Sequence, residues 1–320
     1  TVNATGKTPV PPGSAAARPL SRDDLALEDR WILSRLAATI ADIDERLRRY
    51  QISDVISTLY AFFWNDFCDW YVELVKPRLF QRDESGEVAP LADDSAQVAR
   101  QVLAWVLDQS LRLLHPVLPF VTEALWAKLN ETVPQRGISK LITGEPQLIR
   151  AAWPDANAWQ REASVEDELE ALQNIIRGLR DTLAWINTTR SAAKTPAIGK
   201  LPQAVIRVAE PMATHLRAQT PVIGRLGRCE SLEIGPDVAK PAESATKVFA
   251  GVEVFVPIAG LADLAAERKR LSKERDELTG YIKGVEAKLN NQGFVAKAPP
   301  AVVERERERL GELKEKLAAL

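Results

Sequence analysis

Few residues in this 320-residue chain have the types and spacing that catalysis needs. Its two histidines, His115 and His215, and its two cysteines, Cys68 and Cys229, are far apart in sequence. No HExxH, GxSxG, CxxC or glycine-rich phosphate loop occurs. His115 precedes Pro116 at an expected helix end. It reads as a structural or capping residue, because a general base needs a positioned partner. Asp66 and Asp69 lie in the aromatic stretch YAFFWNDFCDWY and read as solvated or paired carboxylates. The chemistry these residues suggest is binding rather than bond making.

Binding candidates concentrate near the end of the chain. Residues 263–316 carry thirteen basic and eleven acidic side chains. Two readings stay open for them. One is a solvated helical surface with intrahelical pairs. The other is a basic stripe facing phosphates, with Arg268, Arg275 and Arg305 as its candidates. Between the two charged segments stands NNQGFVAKAPP. Phe294 and Val295 either fold back to close the end of a hairpin or are offered to a partner. Exposed RNA bases are one suitable target, since apolar and aromatic groups stack on them.

The elements that position these residues follow from periodicity. Leu36, Ile40, Ile43, Leu47 and Tyr50 share one face of a helix that begins near Asp23. A second helix is expected from Ile52 to Lys76, stopped by Pro77. Its apolar circumference marks it as the buried helix of a bundle, with Trp64, Phe67 and Trp70 in the core. Helices from Ser95 to Leu114 and from Pro119 to Leu129 complete a four-helix bundle. After an irregular stretch, a helix over Val165–Asn187, strand-like runs at 204–208 and 231–234 around a helical 213–225, and a hairpin over 247–257 suggest a small α/β subdomain. From Leu261, apolar residues recur at seven-residue spacing on two adjacent segments. Gly293 is placed to end the first and Pro299-Pro300 to open the second, so an antiparallel coiled-coil hairpin is expected.

The fold class is therefore mainly α: a linker over 1–22, a helical domain over 23–160, a small α/β subdomain over 161–258 and the hairpin over 259–320. The first twenty residues are rich in Pro, Gly, Ala and Ser and lack the apolar core of a signal peptide. Met212 is the only methionine, so residue 1 is not expected to be a native start. Net charge is −2, so any nucleic-acid contact must be local. The two cysteines fit a reducing compartment without disulfides or a zinc site, and no apolar run is long enough to span a membrane.

The segments DRWILSRL (29–36), FFWNDFCDWYVELVKPRL (62–79) and LHPVLPFVTEALW (114–126) resemble the helical anticodon-binding domain of class I aminoacyl-tRNA synthetases. The second is most similar to the valyl-tRNA synthetase group. LADLAAERKRLSKERDEL followed by NNQGFVAKAPPAVVERERERL is similar to the tRNA-binding coiled-coil arm of that group. LAWINTTRSAAKTPAIGKLP (183–202) departs from the family pattern. The family's ATP-binding signatures, HIGH and KMSKS, are absent.

The resemblance implies the tRNA-recognition part of a cytoplasmic, monomeric ligase. Its partners would be valine tRNA and the catalytic domain of the same enzyme, with no membrane. ATP and Mg²⁺ would belong to that catalytic domain, and no cofactor to this chain. Arg30, Trp31 and Arg35 in DRWILSRL would read the anticodon by stacking and edge hydrogen bonds. Phe294, Val295 and Lys297 at the tip, with Arg268, Arg275 and Arg305, would touch the outer corner of the tRNA. The alternative is a coiled-coil protein-interaction module without an RNA role.

Overall fold

The computed structural model describes residues 17–82, 88–262, 264–291, 293 and 299–319. The chain is mainly α and divides into two compact units, 1–173 and 174–320.

The first unit is an up-and-down helical bundle. Helix α1 (Leu27–Arg48) buries Trp31, Ile32, Leu36, Ile40 and Ile43. The expected stripe runs out after Ile43, because the helix ends at Arg48 and Tyr50 turns the chain with φ 57°. Leu47 and Tyr50 are consequently exposed. Helix α2 (Ile52–Tyr60) passes through a π-helical stretch, Ala61–Tyr71, into α3 (Val72–Leu79) without leaving helical backbone angles. Pro77 does not stop this helix. It sits in the last turn, the helix runs on to Leu79, and the chain becomes extended at Phe80. Phe67 and Trp70 are in the core as expected, whereas Trp64 is 51 % exposed.

Short strands β1 (Phe80–Arg82) and β2 (Val88–Pro90) pair antiparallel. Helix α4 (Asp94–Leu114) starts at an Asp93 cap, whose carboxylate accepts the Ala96 N–H at 2.7 Å. Helix α5 (Pro119–Thr132) follows, with Pro119 in its first turn. A two-residue ladder, β3 (Gln135–Arg136) with β4 (Ile142–Thr143), and two 3₁₀ turns lead to α6 (Ala163–Ala192).

Buried polar networks fix the bundle. Asp29 accepts from Tyr71 Oη at 2.7 Å and pairs with Arg78 at 2.8 Å, tying the start of α1 to α3. Arg78 also reaches Glu28 and the start of α4 at Ser95. Asp108 on α4 pairs with Arg112 and Arg136. These ties place the start of α1 beside the end of α3 and the start of α4. The α1–α2 and α4–α5 turns therefore share the opposite end. There Arg112 Nη1 donates to Ala152 O and Trp153 Nε1 donates to Asp44, bridging α4 and α1.

The second unit contains a four-stranded sheet ordered β6-β5-β8-β7. Strands β5 (Leu201–Arg207) and β6 (Cys229–Gly235) are parallel, joined by α7 (Met212–Ala218) and α8 (Thr220–Gly227). Strand β8 (Val252–Pro257) runs antiparallel to β5 and to β7 (Ser244–Phe249). Ile175, Ile176, Leu179, Leu183 and Ile186 of α6 are buried. Gly178 packs closely there, since a Cβ would stand 3.0 Å from the Phe249 ring.

Helices α9 (Leu264–Asn290) and α10 (Pro300–Ala319) form the hairpin. Lys288–Glu306 and Glu286–Lys314 pairs cross between them in antiparallel sense. Ile282, Val285 and Val303 are buried.

Candidate nucleic-acid interface

Among the described residues, no group of three or more His, Cys, Asp and Glu side chains could hold a metal ion. His115 Nδ1 lies 2.8 Å from Thr122 Oγ1, and that hydroxyl donates to Leu118 O. The ring thus pins the α4–α5 turn, a structural task. Asp66 is engaged by Arg35 at 2.9 Å. The surfaces that remain are suited to binding.

The sequence-derived candidates on α1 lie in its first half, near the chain's entry into the bundle. Trp31 is 3 % exposed and has no free face to stack on a base. This differs from the stacking role expected of it, because the first apolar position of the stripe already faces the core. Arg30 pairs with Glu162, which Arg22 also holds. Arg35 pairs with Asp66 at 2.9 Å and Glu166 at 3.6 Å, and remains partly exposed. Ser34 Oγ donates to Glu166 at 2.6 Å. The Arg30 hydrogen bond is the main influence holding the Glu162 carboxyl below its ordinary pKa, with Arg22 adding to it. Together these residues clamp the start of α6 to α1.

The opposite end of the bundle looks different. Tyr50 in the α1–α2 turn is 87 % exposed, and Phe120 at the start of α5 is 90 % exposed. Ile52, Val117, Leu118 and Val121 around them are exposed as well. Arg48 and Arg49 lie beside Tyr50 and, among the described residues, pair only with Glu45, one helical turn away. Such exposed i,i+3 and i,i+4 pairs contribute little and open at small cost. Along the outer face of α2 and the π-helical stretch, Tyr60 and Trp64 stack with ring centres 6.2 Å apart and planes within 9°. Aromatic faces beside loosely held arginines suit unstacked bases and their phosphates. Periodicity missed this end, since Tyr50 continued an apolar stripe. The neighbouring RRY triplet and the turn-forming HPVLPF were the available signals.

On the arm, Arg275 is exposed and bonded to its neighbour Asp276 at 3.0 Å. Arg305 is exposed. The side chain of Arg268, and Phe294, Val295 and Lys297 altogether, lie outside the described residues. The heptad positions Ile282, Val285 and Val303 are consumed by pairing within the hairpin.

Comparison with known proteins agrees in kind. Residues 29–198 match the family model of the anticodon-binding domain of tRNA ligase. Residues 263–320 match that of the valyl tRNA synthetase tRNA binding arm. A valine–tRNA ligase of Bacillus cereus is 35 % identical over 295 residues, covering 92 % of this chain and 30 % of the relative. That of Desulfotalea psychrophila is 37 % identical over 297 residues, covering 93 % and 30 %. That of Rhodopirellula baltica is 34 % identical over 299 residues, covering 92 % and 27 %. The chain thus spans about 30 % of the length of the curated relatives it matches. It belongs to the anticodon-binding domain family of tRNA ligases, with a C-terminal stretch that matches the valyl-tRNA synthetase arm.

Proposed function

We propose that this chain is the tRNA-recognising part of a valine–tRNA ligase. The turn end of the bundle receives the anticodon loop, and the arm meets the outer corner of the same tRNA. The observation that carries the reading is that Tyr50 and Phe120, the two most exposed aromatics among the described residues of the bundle, stand in its two turns at one end, with Arg48 and Arg49 beside Tyr50. An anticodon base stacked on such a ring gains about 1–3 kcal/mol.

Arg35 remains a proposed RNA contact on the flank of the bundle, and Arg30 supports it through Glu162. Trp31 acts from inside, by packing. On the arm, Phe294, Val295 and Lys297 are proposed to meet the tRNA corner, with Arg268, Arg275 and Arg305 on adjacent phosphates. Two separated contacts raise affinity through effective concentration and hold the acceptor end where a distant active site needs it. ATP and Mg²⁺ would serve that active site, in a catalytic domain of the same enzyme.

A cytoplasmic monomer fits this work. No described helix is long and apolar enough to cross a membrane, and Ile282, Val285 and Val303 are buried in the hairpin. Nuclease footprinting of a valine tRNA transcript tests the reading. Protection of the anticodon loop, lost in a Tyr50→Ala/Phe120→Ala chain, is expected. Protection confined to other parts of the tRNA would contradict it.

A further inference from the structure

We propose that the small α/β unit carries a third RNA contact, a phosphate-binding surface built from Lys194, Lys200 and Arg228. The inference rests on the tRNA-binding reading and adds a contact that neither the bundle nor the arm supplies.

Charge segregation is the first support. Between Asp181 and Glu230 the sequence holds seven Arg and Lys residues and a single carboxylate, Glu210. Over the whole chain, by contrast, 42 basic residues face 44 acidic ones. Glu210 is occupied by Arg217 at 2.9 Å and by Thr214 at 2.8 Å. It follows the far end of β5, whereas Lys200 immediately precedes the near end.

The fold then brings Lys200 and Arg228 together. Strands β5 and β6 start side by side, with Leu201 opposite Cys229. Leu201 N–H donates to Arg228 O at 2.7 Å, so Lys200 and Arg228 are neighbours in space. The loop that brings Lys200 there is rigidly held. Asn187 Nδ2 donates to Ile198 O at 3.0 Å, and its Oδ1 accepts the Ile198 N–H at 2.8 Å. Arg190 Nε donates to Pro196 O at 2.7 Å. Lys194 turns the chain out of α6 with φ 55°. That conformation favours glycine, so backbone geometry gives no reason for a lysine there.

The third support is availability. Lys194, Lys200 and Arg228 are exposed, and none pairs with a carboxylate among the described residues. Glu230, next but one to Arg228, is the nearest acid in sequence, and it too is exposed. Arg30, Arg35, Arg78 and Arg136 of the bundle, by contrast, are each held by a carboxylate. Unpaired cations on a preformed loop need no rearrangement to meet a polyanion, and each phosphate contact releases counterions. Such a surface reads phosphate position and not base identity.

The test is the salt dependence of binding to a valine tRNA transcript between about 50 and 200 mM salt. It compares the unaltered chain with a Lys194→Gln/Lys200→Gln/Arg228→Gln variant. Expected are an unchanged melting temperature and a log–log salt slope shallower by about 2–3. Affinity near 100 mM salt should fall by roughly 10- to 100-fold. The loss should be equal for a transcript with a changed anticodon, and Lys200→Gln alone should lower the slope by about 1. Unchanged slope and affinity in the triple variant, while the unaltered chain binds, would overturn this surface and leave the tRNA reading standing. No binding by the unaltered chain at low salt would overturn the tRNA reading itself, and this surface with it.

Discussion

The Arg136 guanidinium lies 4.4 Å from the centre of the Trp126 ring, and both side chains are wholly buried. Arg136 Nε also donates to the buried Asp108 carboxylate at 2.5 Å, which Arg112 shares at 2.7 Å. Trp126 Nε1 donates to Glu145 O. The network joins α4 and α5 to the segment that follows them, and so holds the turn that presents Phe120. Removing one member leaves a buried charge short of a partner. Arg136→Ala should therefore cost about 3–5 kcal/mol, read as a lower denaturant midpoint for the bundle. A methyl group at Gly144 would stand 2.6 Å from Arg136 Nη2 and 2.2 Å from Asn130 Oδ1. Gly144→Ala should thus destabilise in the same direction, by about 1–3 kcal/mol. Unchanged midpoints would show that the network is not structural.

The two ends of α1 should respond in opposite ways. Trp31→Ala should lower stability by about 3–5 kcal/mol, because it empties a core position. Tyr50→Ala should leave the melting temperature unchanged, since the ring is exposed. Its effect should fall on tRNA affinity, weakened by about 1–3 kcal/mol per stacked base, roughly 5- to 150-fold. Phe120→Ala should behave like Tyr50→Ala. Comparing melting with equilibrium tRNA binding for the three variants separates a packing residue from a binding residue.

The clamp between α1 and α6 should make stability acid-sensitive. Glu162 titrates below its ordinary 4.5, chiefly because Arg30 donates to it. A carboxylate with a depressed folded pKa stabilises the native state at pH values above about 4.5. That contribution is lost as pH falls through the folded value, because the unfolded chain takes up its proton first. Unfolding measured from neutral pH down through this range should show stability falling on acidification. Glu162→Gln should flatten that part of the profile. An identical acid slope in the variant would mean that the pair contributes nothing.

Phe294→Ala is expected to weaken tRNA binding while α9 (Leu264–Asn290) and α10 (Pro300–Ala319) keep their helicity. Unchanged affinity in a folded variant would remove the apolar tip from the interface. Circular dichroism and binding on the same sample decide it.

Local pattern made much of the fold legible. Leu36, Ile40 and Ile43 announced the buried face of α1, and seven-residue spacing announced the hairpin. Pro299-Pro300 marked the start of α10, whereas α9 ends at Asn290 and Gly293, expected to end it, is itself helical. Features that depend on pairing through space were not legible. Asp108 and Arg136 are 28 residues apart, and nothing in sequence links them. Arg30 and Arg35 looked free for RNA because Glu162 and Glu166, more than 120 residues away, are brought to them only by the fold. Tyr50 and Trp64 extended apolar patterns, yet a helix end and an outer face left them in solvent. Pro77 looked like a stop at Lys76, yet the helix runs through it to Leu79.

The most direct test is equilibrium binding of this chain to a valine tRNA transcript, beside the same transcript with its anticodon changed. A clear preference for the valine anticodon, abolished by Tyr50→Ala/Phe120→Ala, is the result expected. Equal affinity for both transcripts would contradict anticodon reading at the turn end of the bundle.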